Sequence, residues 1–177
     1  MSHSALKYIN KERIEEIESL AVDYLQEMYG SISNFSVPLD LDRASKIFNV
    51  KIVQGEFTDL SIEGQLIKSK TLTEQHKIQL AKKDLPYLSN RQYFTIAHEI
   101  GHLVLHPELE TDIYRTNFDK FDLKEEEADY FAGCLLMPRS LIIKAFYFLD
   151  KSIDQMAEYF NVSQSAMNVR VRVLGLI

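Results

Sequence analysis

Residues 91–106 read RQYFTIAHEIGHLVLH and contain an H-E-x-x-H sequence that runs from His98 to His102. Two histidines four residues apart lie on one face of a helix, with Cβ atoms roughly 5–6 Å apart, which suits one small metal ion. The flanking residues are almost all apolar, so we expect this helix to be buried on nearly every side. Burying two imidazoles and the Glu99 carboxylate there is costly unless something satisfies their polar atoms. The stretch therefore predicts a buried helix that carries a metal centre.

The ends of this helix are marked in the sequence. Ser89 followed by Gln92 three residues later has the pattern of a capping box, and Pro107 predicts the far end. The motif therefore falls in the middle of the predicted helix, where both histidines can share one face. The alternative interpretation is a pair of core histidines that hydrogen-bond to carbonyl groups, with Glu99 paired to an arginine.

A catalytic zinc ion normally has three protein ligands and one open position, so the motif needs a further ligand. The metzincin spacing is excluded, because Leu105 and Glu108 occupy the positions of that class's glycine and third histidine. His106 lies one turn beyond His102, too far along the helix to share an ion with both motif histidines. We interpret His106 as a helix C-terminal imidazole favoured by the helix dipole, or as a substrate or transition-state contact.

The next predicted helix, over residues 122–137, starts with a run of acidic residues. Glu125 and Asp129 are four residues apart and share a face, so one carboxylate is suited to a metal and the other to accepting a hydrogen bond from a ligating imidazole. Small residues farther along this helix would allow it to approach the motif helix closely. Two alternatives stay open: Glu126 or Glu127 as the ligand, and Glu125 as a capping-box residue.

Composition limits the class of protein. The chain has 177 residues, 46% hydrophobic and 26% charged, which is ordinary for one globular domain with a core. Its net charge of −6 argues against a main affinity for nucleic acid phosphates. No apolar run approaches the ~20 residues needed to span a bilayer, and residues 1–10 lack a signal-peptide core. Cys134 is the single cysteine, so no intrachain disulfide can form, and we expect a cytoplasmic protein with no membrane partner.

Hydrophobic periodicity and turn residues divide the rest of the chain into helices and short strands. The segment 108–121 is polar and irregular, and we expect a functional loop there. Short, partly alternating strands favour a small, largely antiparallel sheet, which predicts the α+β class. The further predicted helices cover 11–29, a short stretch from Asp40, 140–149, 153–160 and 164–174, and the predicted strands cover 50–53, 62–67 and 77–81.

Three stretches of the sequence resemble the ImmA/IrrE family of metallopeptidases. They are RQYFTIAHEIGHLVLH at 91–106, EEEADYFAGCLLMP at 125–138 and AEYFNVSQSAMNVRVRVLGLI at 157–177. The segment VPLDLDRASKIFNVKIV at 37–53, the first helix and the sheet that follows also resemble this family. The resemblance therefore covers nearly the whole chain.

The resemblance implies a fold and a site. The sheet would pack on a zincin-like helical core in a single metallopeptidase domain over 1–177, with 151–177 as a helical extension like a helix-turn-helix. Glu99 would be the catalytic base of one zinc ion per chain. Asp129 stands where the family more often has asparagine, and it can still accept a hydrogen bond from an imidazole. The implied zinc ligands are His98, His102 and Glu125.

The resemblance also implies a function. A zinc-dependent endopeptidase of this kind would cleave a helix-turn-helix transcriptional repressor, its protein partner, and so derepress mobile-element, phage or stress genes. The alternatives are a non-catalytic anti-repressor and a DNA-binding regulator that acts through the C-terminal helices, each with structural zinc. An acidic chain with few arginines there disfavours direct DNA binding. The residues that would face a DNA groove are Gln164, Ser165, Asn168, Arg170 and Arg172.

Two further expectations concern the surroundings of the motif. Arg91, Tyr93 and His106 lie near it in sequence and are candidates for substrate or transition-state contacts. The strand predicted at 77–81 precedes the motif helix, and we expect it to bind an extended peptide by edge addition.

Overall fold

The computed structural model describes residues 6–59, 61–71, 73–82, 88–108, 113–114 and 123–177, with the backbone alone at 113–114. The helices are α1 (Lys11–Tyr29), α2 (Leu41–Ile47), α3 (Asn90–Leu105), α4 (Leu123–Leu136), α5 (Arg139–Tyr147), α6 (Ile153–Tyr159) and α7 (Gln164–Val173). The strands are β1 (Val50–Gly55), β2 (Gly64–Ile67), β3 (His76–Ala81) and β4 (Ile113–Tyr114). The α+β class is confirmed, and the predicted elements start and end within a few residues of their expected bounds. Strand β4 was not predicted, because it falls in the segment 108–121 that was expected to be an irregular loop.

Parts of two expectations fall outside this description. Most of the loop predicted at 108–121 is not among the described residues, and neither is residue 122, where the acidic helix was expected to begin. Within the part of the chain that is described, no helix is both long enough and apolar enough to cross a lipid bilayer.

Side-chain caps set the helix ends where the sequence predicts them. Asn10 Oδ1 accepts a hydrogen bond from the Arg13 N–H at 2.9 Å, which satisfies one of the unpaired donors of the first turn of α1. Gly30 ends α1 at φ 71°, in the left-handed region that glycine adopts without strain. Ser89 and Gln92 form the predicted capping box of α3, which fixes where the motif helix begins.

The sheet is mixed, with the strand order β1-β3-β2-β4. The β2–β3 and β2–β4 pairings are antiparallel, as expected, whereas β1 pairs with β3 in parallel, from Val50 opposite His76 to Gly55 opposite Ala81. The parallel pairing was not predicted, because alternation shows which face a strand buries and not the direction of its neighbour. The edge role expected for 77–81 is wrong, since β3 has a hydrogen-bonded strand on each side.

The motif helix packs directly on this sheet. Helix α3 contacts β2 and β3, and a Cβ atom at Gly64 of β2 would collide with Thr95 Cγ2 of α3. Glycine is therefore needed at position 64 for the strand and the helix to approach each other. Ile78 and Ile96 are fully buried in the same core cluster, which extends from α1 to α7. The sheet thus supports one side of α3.

Helix α4 packs closely against α3 on the side of the motif. A Cβ atom at Gly101 would lie 3.0 Å from both Cα and O of Ala128, so the two backbones nearly touch there. Helix α1 crosses α4, where Ile17, Leu25 and Phe131 are all buried. The three helices therefore fix the position of the acidic first turn of α4 relative to the histidines.

The C-terminal helices α5, α6 and α7 extend the same core. Met167 of α7 is fully buried, and Arg170 is only 3% exposed, with its guanidinium bonded to Glu18 of α1 at 2.7 Å and to the Met137 carbonyl at 3.1 Å. The expectation that Arg170 faces a DNA groove is therefore wrong, because its charge is neutralised inside the protein. The helix-turn-helix-like character of this part stays a prediction.

Cys134 also lies in this core. It is a free thiol that is 2% exposed, at 3.4 Å from Arg170 Nη1. Burial raises the pKa of the Cys134 thiol to about 11, which keeps it protonated and unreactive near neutral pH. The cysteine thus contributes to packing as a small apolar residue.

Candidate metal centre

Helix α3 presents its motif side chains to the interior. His98, Glu99 and His102 are each 1% exposed. The helical spacing places both imidazoles toward α4, with ring centroids 4.6 Å apart. Ionisable groups that are buried this deeply require charged or hydrogen-bonded partners.

Three side chains converge between α3 and α4. The Nε2 atoms of His98 and His102 are 3.0 Å apart. Glu125 Oε2 lies 3.4 Å from His98 Nε2, and Glu125 Oε1 lies 3.2 Å from His102 Nε2. One possible ligand atom from each of the three residues lies within 4.8 Å of the others. The structure thus brings together the three residues for which the sequence predicts metal binding.

The three acids of the first turn of α4 have different partners. Among the described contacts, Glu125 is the one acid whose carboxylate faces His98 and His102. Glu126 accepts hydrogen bonds from the backbone N–H groups of residues 7, 8 and 9, at 2.6, 2.6 and 2.9 Å. Glu127 binds Arg13 through two hydrogen bonds of 2.9 Å. The geometry therefore favours Glu125 over the other two as the third ligand.

Asp129 orients one of the imidazoles. Its Oδ1 atom lies 2.7 Å from His98 Nδ1, and a carboxylate can only accept a hydrogen bond there. The Nδ1 atom therefore carries the proton, and Nε2 is left to face Glu125 and His102. A carboxylate behind a histidine is the usual arrangement around metal-binding imidazoles, since it fixes both tautomer and ring orientation.

The electrostatics of the cluster favour a positive charge at its centre. Burial disfavours the charged His98 ring, but the hydrogen bonds to Asp129 and Glu125 outweigh it and raise the pKa of His98 to about 9. Burial would also raise the pKa of Glu125, but the hydrogen bonds from His102 and His98 outweigh it and hold that pKa below its usual range. A site that holds a proton this strongly is suited to a divalent cation in its place.

The donor set fits zinc. Two imidazole nitrogens and one carboxylate oxygen are ligands that Zn²⁺ takes in catalytic sites, where three protein ligands leave one position open. His102 Nδ1 is buried and has no hydrogen-bond partner among the described residues. No hydrogen bond at Nδ1 therefore orients that ring. A metal at Nε2 would supply an orienting bond.

The other predicted site residues have partners of their own. Arg91 forms an ion pair with Glu63 at 3.2 Å. Burial, and to a smaller extent the Asp40 carboxylate, raise the pKa of Tyr93. These contacts lie on the N-terminal half of α3, before the motif. A role for either residue with substrate stays a prediction.

His106 lies at the end of α3 and is 4% exposed. Its Nε2 atom is 3.2 Å from the Lys124 carbonyl and 3.6 Å from Glu127 Oε2, and its ring centroid is 5.6 Å from that of His102. Lys68 Nζ donates to the His106 carbonyl at 2.8 Å, which satisfies an exposed acceptor of the helix end. His106 therefore joins the end of α3 to the start of α4, and a substrate contact stays a prediction.

Sequence reasoning missed the roles of Glu126, Glu127 and Arg13. Each pairing joins residues more than a hundred positions apart, and no local spacing indicates it. The sequence offers one signal for these pairings. Three glutamates are adjacent at 125–127, whereas the metal site requires one carboxylate from them, so the other two need different partners.

A motif helix that faces a glutamate helix across two histidines and one carboxylate is the arrangement of a metallopeptidase centre. The family model described as the IrrE N-terminal-like domain, of peptidase family M78, matches residues 87–172, which include α3 and α4. Metallopeptidase ImmA of Bacillus subtilis (strain 168) is 30% identical over 120 residues, which make up 66% of this chain and 68% of that relative. The chain belongs to the ImmA/IrrE family of metallopeptidases.

Proposed function

We propose that this protein is a zinc-dependent endopeptidase. The observation that carries the proposal is the convergence of His98 and His102 of α3 with Glu125 of α4. Glu99 lies on the same buried stretch of α3 as the two histidines. These three residues would hold the metal, and Asp129 would orient His98. When bound, zinc supplies Lewis-acid chemistry that acidifies water and polarises a carbonyl group.

Glu99 would move the protons of the reaction. Its carboxylate accepts a proton from the attacking water while the oxygen of that water bonds to the scissile carbonyl carbon. The same proton then goes to the amide nitrogen as the C–N bond breaks, which releases the amine product and restores the carboxylate.

An extended peptide substrate would bind at the β4 edge of the sheet. Among the described residues β4 pairs with β2 alone, and β2 packs on α3. An edge strand offers unpaired backbone N–H and C=O groups to a peptide, which places its backbone along the sheet beside the motif helix.

The substrate we propose is a helix-turn-helix repressor, so the protein would act as an anti-repressor in the cytoplasm and derepress mobile-element, phage or stress genes. This step rests on the family resemblance. The burial of Arg170 reduces the positive surface that α7 could offer to DNA, so a protein partner is favoured over direct DNA binding.

The test is cleavage of the helix-turn-helix repressor encoded nearest to this gene. With one equivalent of zinc we expect discrete fragments, and with excess chelator none. Glu99→Gln keeps the size of the side chain, so we expect one zinc per chain but a cleavage rate at least about 100-fold lower.

Full activity of Glu99→Gln would show that Glu99 is not the base. Repressor release without fragments, unchanged in Glu99→Gln, would instead indicate a non-catalytic anti-repressor with structural zinc. Metal content, measured on the same samples, separates loss of chemistry from loss of the ion.

A further inference from the structure

The first turn of α4 must be held in one orientation for Glu125 to reach the histidines. The Glu125 side chain is 34% exposed, and the first turn of a helix lacks intrahelical bonds for its N–H groups. The two motif histidines, in contrast, lie in the middle of α3 and are 1% exposed. The third ligand is therefore the one whose position depends most on contacts outside its own helix.

Glu127 provides such a contact. It is 5% exposed, and both of its oxygens are bonded to Arg13, from Nε to Oε1 and from Nη2 to Oε2, each at 2.9 Å. A two-bond pair between a guanidinium and a carboxylate fixes direction as well as distance. Glu125 and Glu127 lie about 200° apart around the helix axis, so fixing the direction of one determines the direction of the other.

The same carboxylate also contacts the motif helix. Glu127 Oε2 lies 3.6 Å from His106 Nε2, and the same nitrogen donates a hydrogen bond to the Lys124 carbonyl oxygen at 3.2 Å. Glu127 thus lies between Arg13 of α1 and His106 at the end of α3. Rotation of the α4 first turn would break its contacts with both neighbours.

We propose that Arg13, acting through Glu127, is a positioning residue that sets Glu125 for metal binding. Helix α1 would then contribute to zinc affinity although it provides no ligand. This inference rests on the proposed zinc site, and it assigns to the ion pair a role beyond stability.

The experiment measures the zinc dissociation constant of the full chain by competition with a chromophoric chelator, and the visible spectrum of the Co²⁺-substituted protein. Arg13→Gln removes the guanidinium at a position that is one-third exposed but leaves the buried Glu127 carboxylate without this partner, so circular dichroism first checks that the variant is folded. We expect zinc to bind about 10–100-fold more weakly and the Co²⁺ spectrum to change. Arg13→Lys keeps the charge but loses the two-bond geometry, so we expect an intermediate value.

Two control variants separate positioning from general effects. Glu16→Gln removes the other partner of Arg13, at 3.1 Å, and leaves Glu127 bound. Tyr130→Phe removes a different contact between α1 and α4, the 2.6 Å hydrogen bond to Glu18, and should lower stability by about 1 kcal/mol. Neither control should change the zinc dissociation constant by more than about twofold.

If the zinc dissociation constant of Arg13→Gln equals that of the parent, the positioning role is wrong, whereas the proposed zinc site is unaffected. An equal loss of affinity in Tyr130→Phe would also overturn it, since that result indicates a general effect of stability. If the parent chain itself binds no zinc, both this inference and the proposed function are wrong.

Discussion

At the scale of single residues, Asp129 has a role that can be tested apart from metal ligation, namely the orientation of His98. Its carboxylate lies 2.7 Å from His98 Nδ1 and does not itself need to touch a metal. We expect Asp129→Ala to weaken zinc binding about 10–100-fold, because the imidazole loses its orienting acceptor. Asp129→Asn keeps an accepting oxygen and should lose less. Chelator competition measures both, and equal zinc affinity of the alanine variant and the parent would contradict this role.

Residue-scale prediction from sequence succeeds where spacing alone determines geometry. His98 and His102, like Glu125 and Asp129, are four apart on a helix, and each pair does share a face in the structure. Spacing alone does not select Glu125 over its two acidic neighbours, because that choice depends on what the neighbours bind. Those partners, the backbone of residues 7–9 and Arg13, lie far away in sequence.

At the scale of elements, the contact between α3 and α4 depends on Gly101. A Cβ atom there would press on the Ala128 backbone at 3.0 Å, and backbone cannot move aside as a flexible side chain does. We expect Gly101→Ala to lower the free energy of unfolding of the metal-free chain by about 1–3 kcal/mol, measured by chemical denaturation.

Gly133 provides the matched control on α4. Among the described atoms, a Cβ at this position would meet Met137 Cε alone, at 3.8 Å, which is ordinary contact. Since alanine favours a helix interior over glycine, we expect Gly133→Ala to stabilise the chain by about 0.5–1 kcal/mol. Similar effects of the two substitutions would mean that the helices do not meet closely at Gly101.

Element ends were predictable where a local signal exists. The capping boxes at Ser89 and Ser152 mark the starts of α3 and α6 in both sequence and structure. The parallel pairing of β1 with β3 has no local signal, because strand direction is set by the path of the chain between them. An antiparallel sheet was expected for this reason, and the interior position of β3 was missed with it.

At the scale of the whole molecule, the Glu18–Arg170 pair joins the first helix to the last. Burial would raise the pKa of Glu18, but the Arg170 charge and hydrogen bond outweigh it and hold that pKa below its usual range. A lowered carboxyl pKa contributes stability above the unfolded value of about 4.5, and this contribution is lost as pH falls below it. The metal-free chain should therefore lose stability in acid partly through this pair.

The test is a comparison of Glu18→Gln with the parent by denaturation in chelator. At pH 7 we expect a loss of about 3 kcal/mol, because the 3% exposed Arg170 is left without its counter-charge. Below pH 4.5 the difference should shrink. The double variant Glu18→Leu with Arg170→Met removes both charges and should lose less than Glu18→Gln. A difference between Glu18→Gln and the parent that stays constant with pH would contradict the assignment.

The late position of α4 in the chain determines when during synthesis the metal centre can form. Arg13 pairs with a residue 114 positions later, and Glu18 with one 152 positions later. Contacts between distant parts of a chain form slowly and only after the later partner has been made. The ribosome releases α1 first, so its two charged residues stay in water until α4 and then α7 emerge. A nascent chain therefore assembles the His98, His102 and Glu125 cluster only after α4 has emerged from the ribosome.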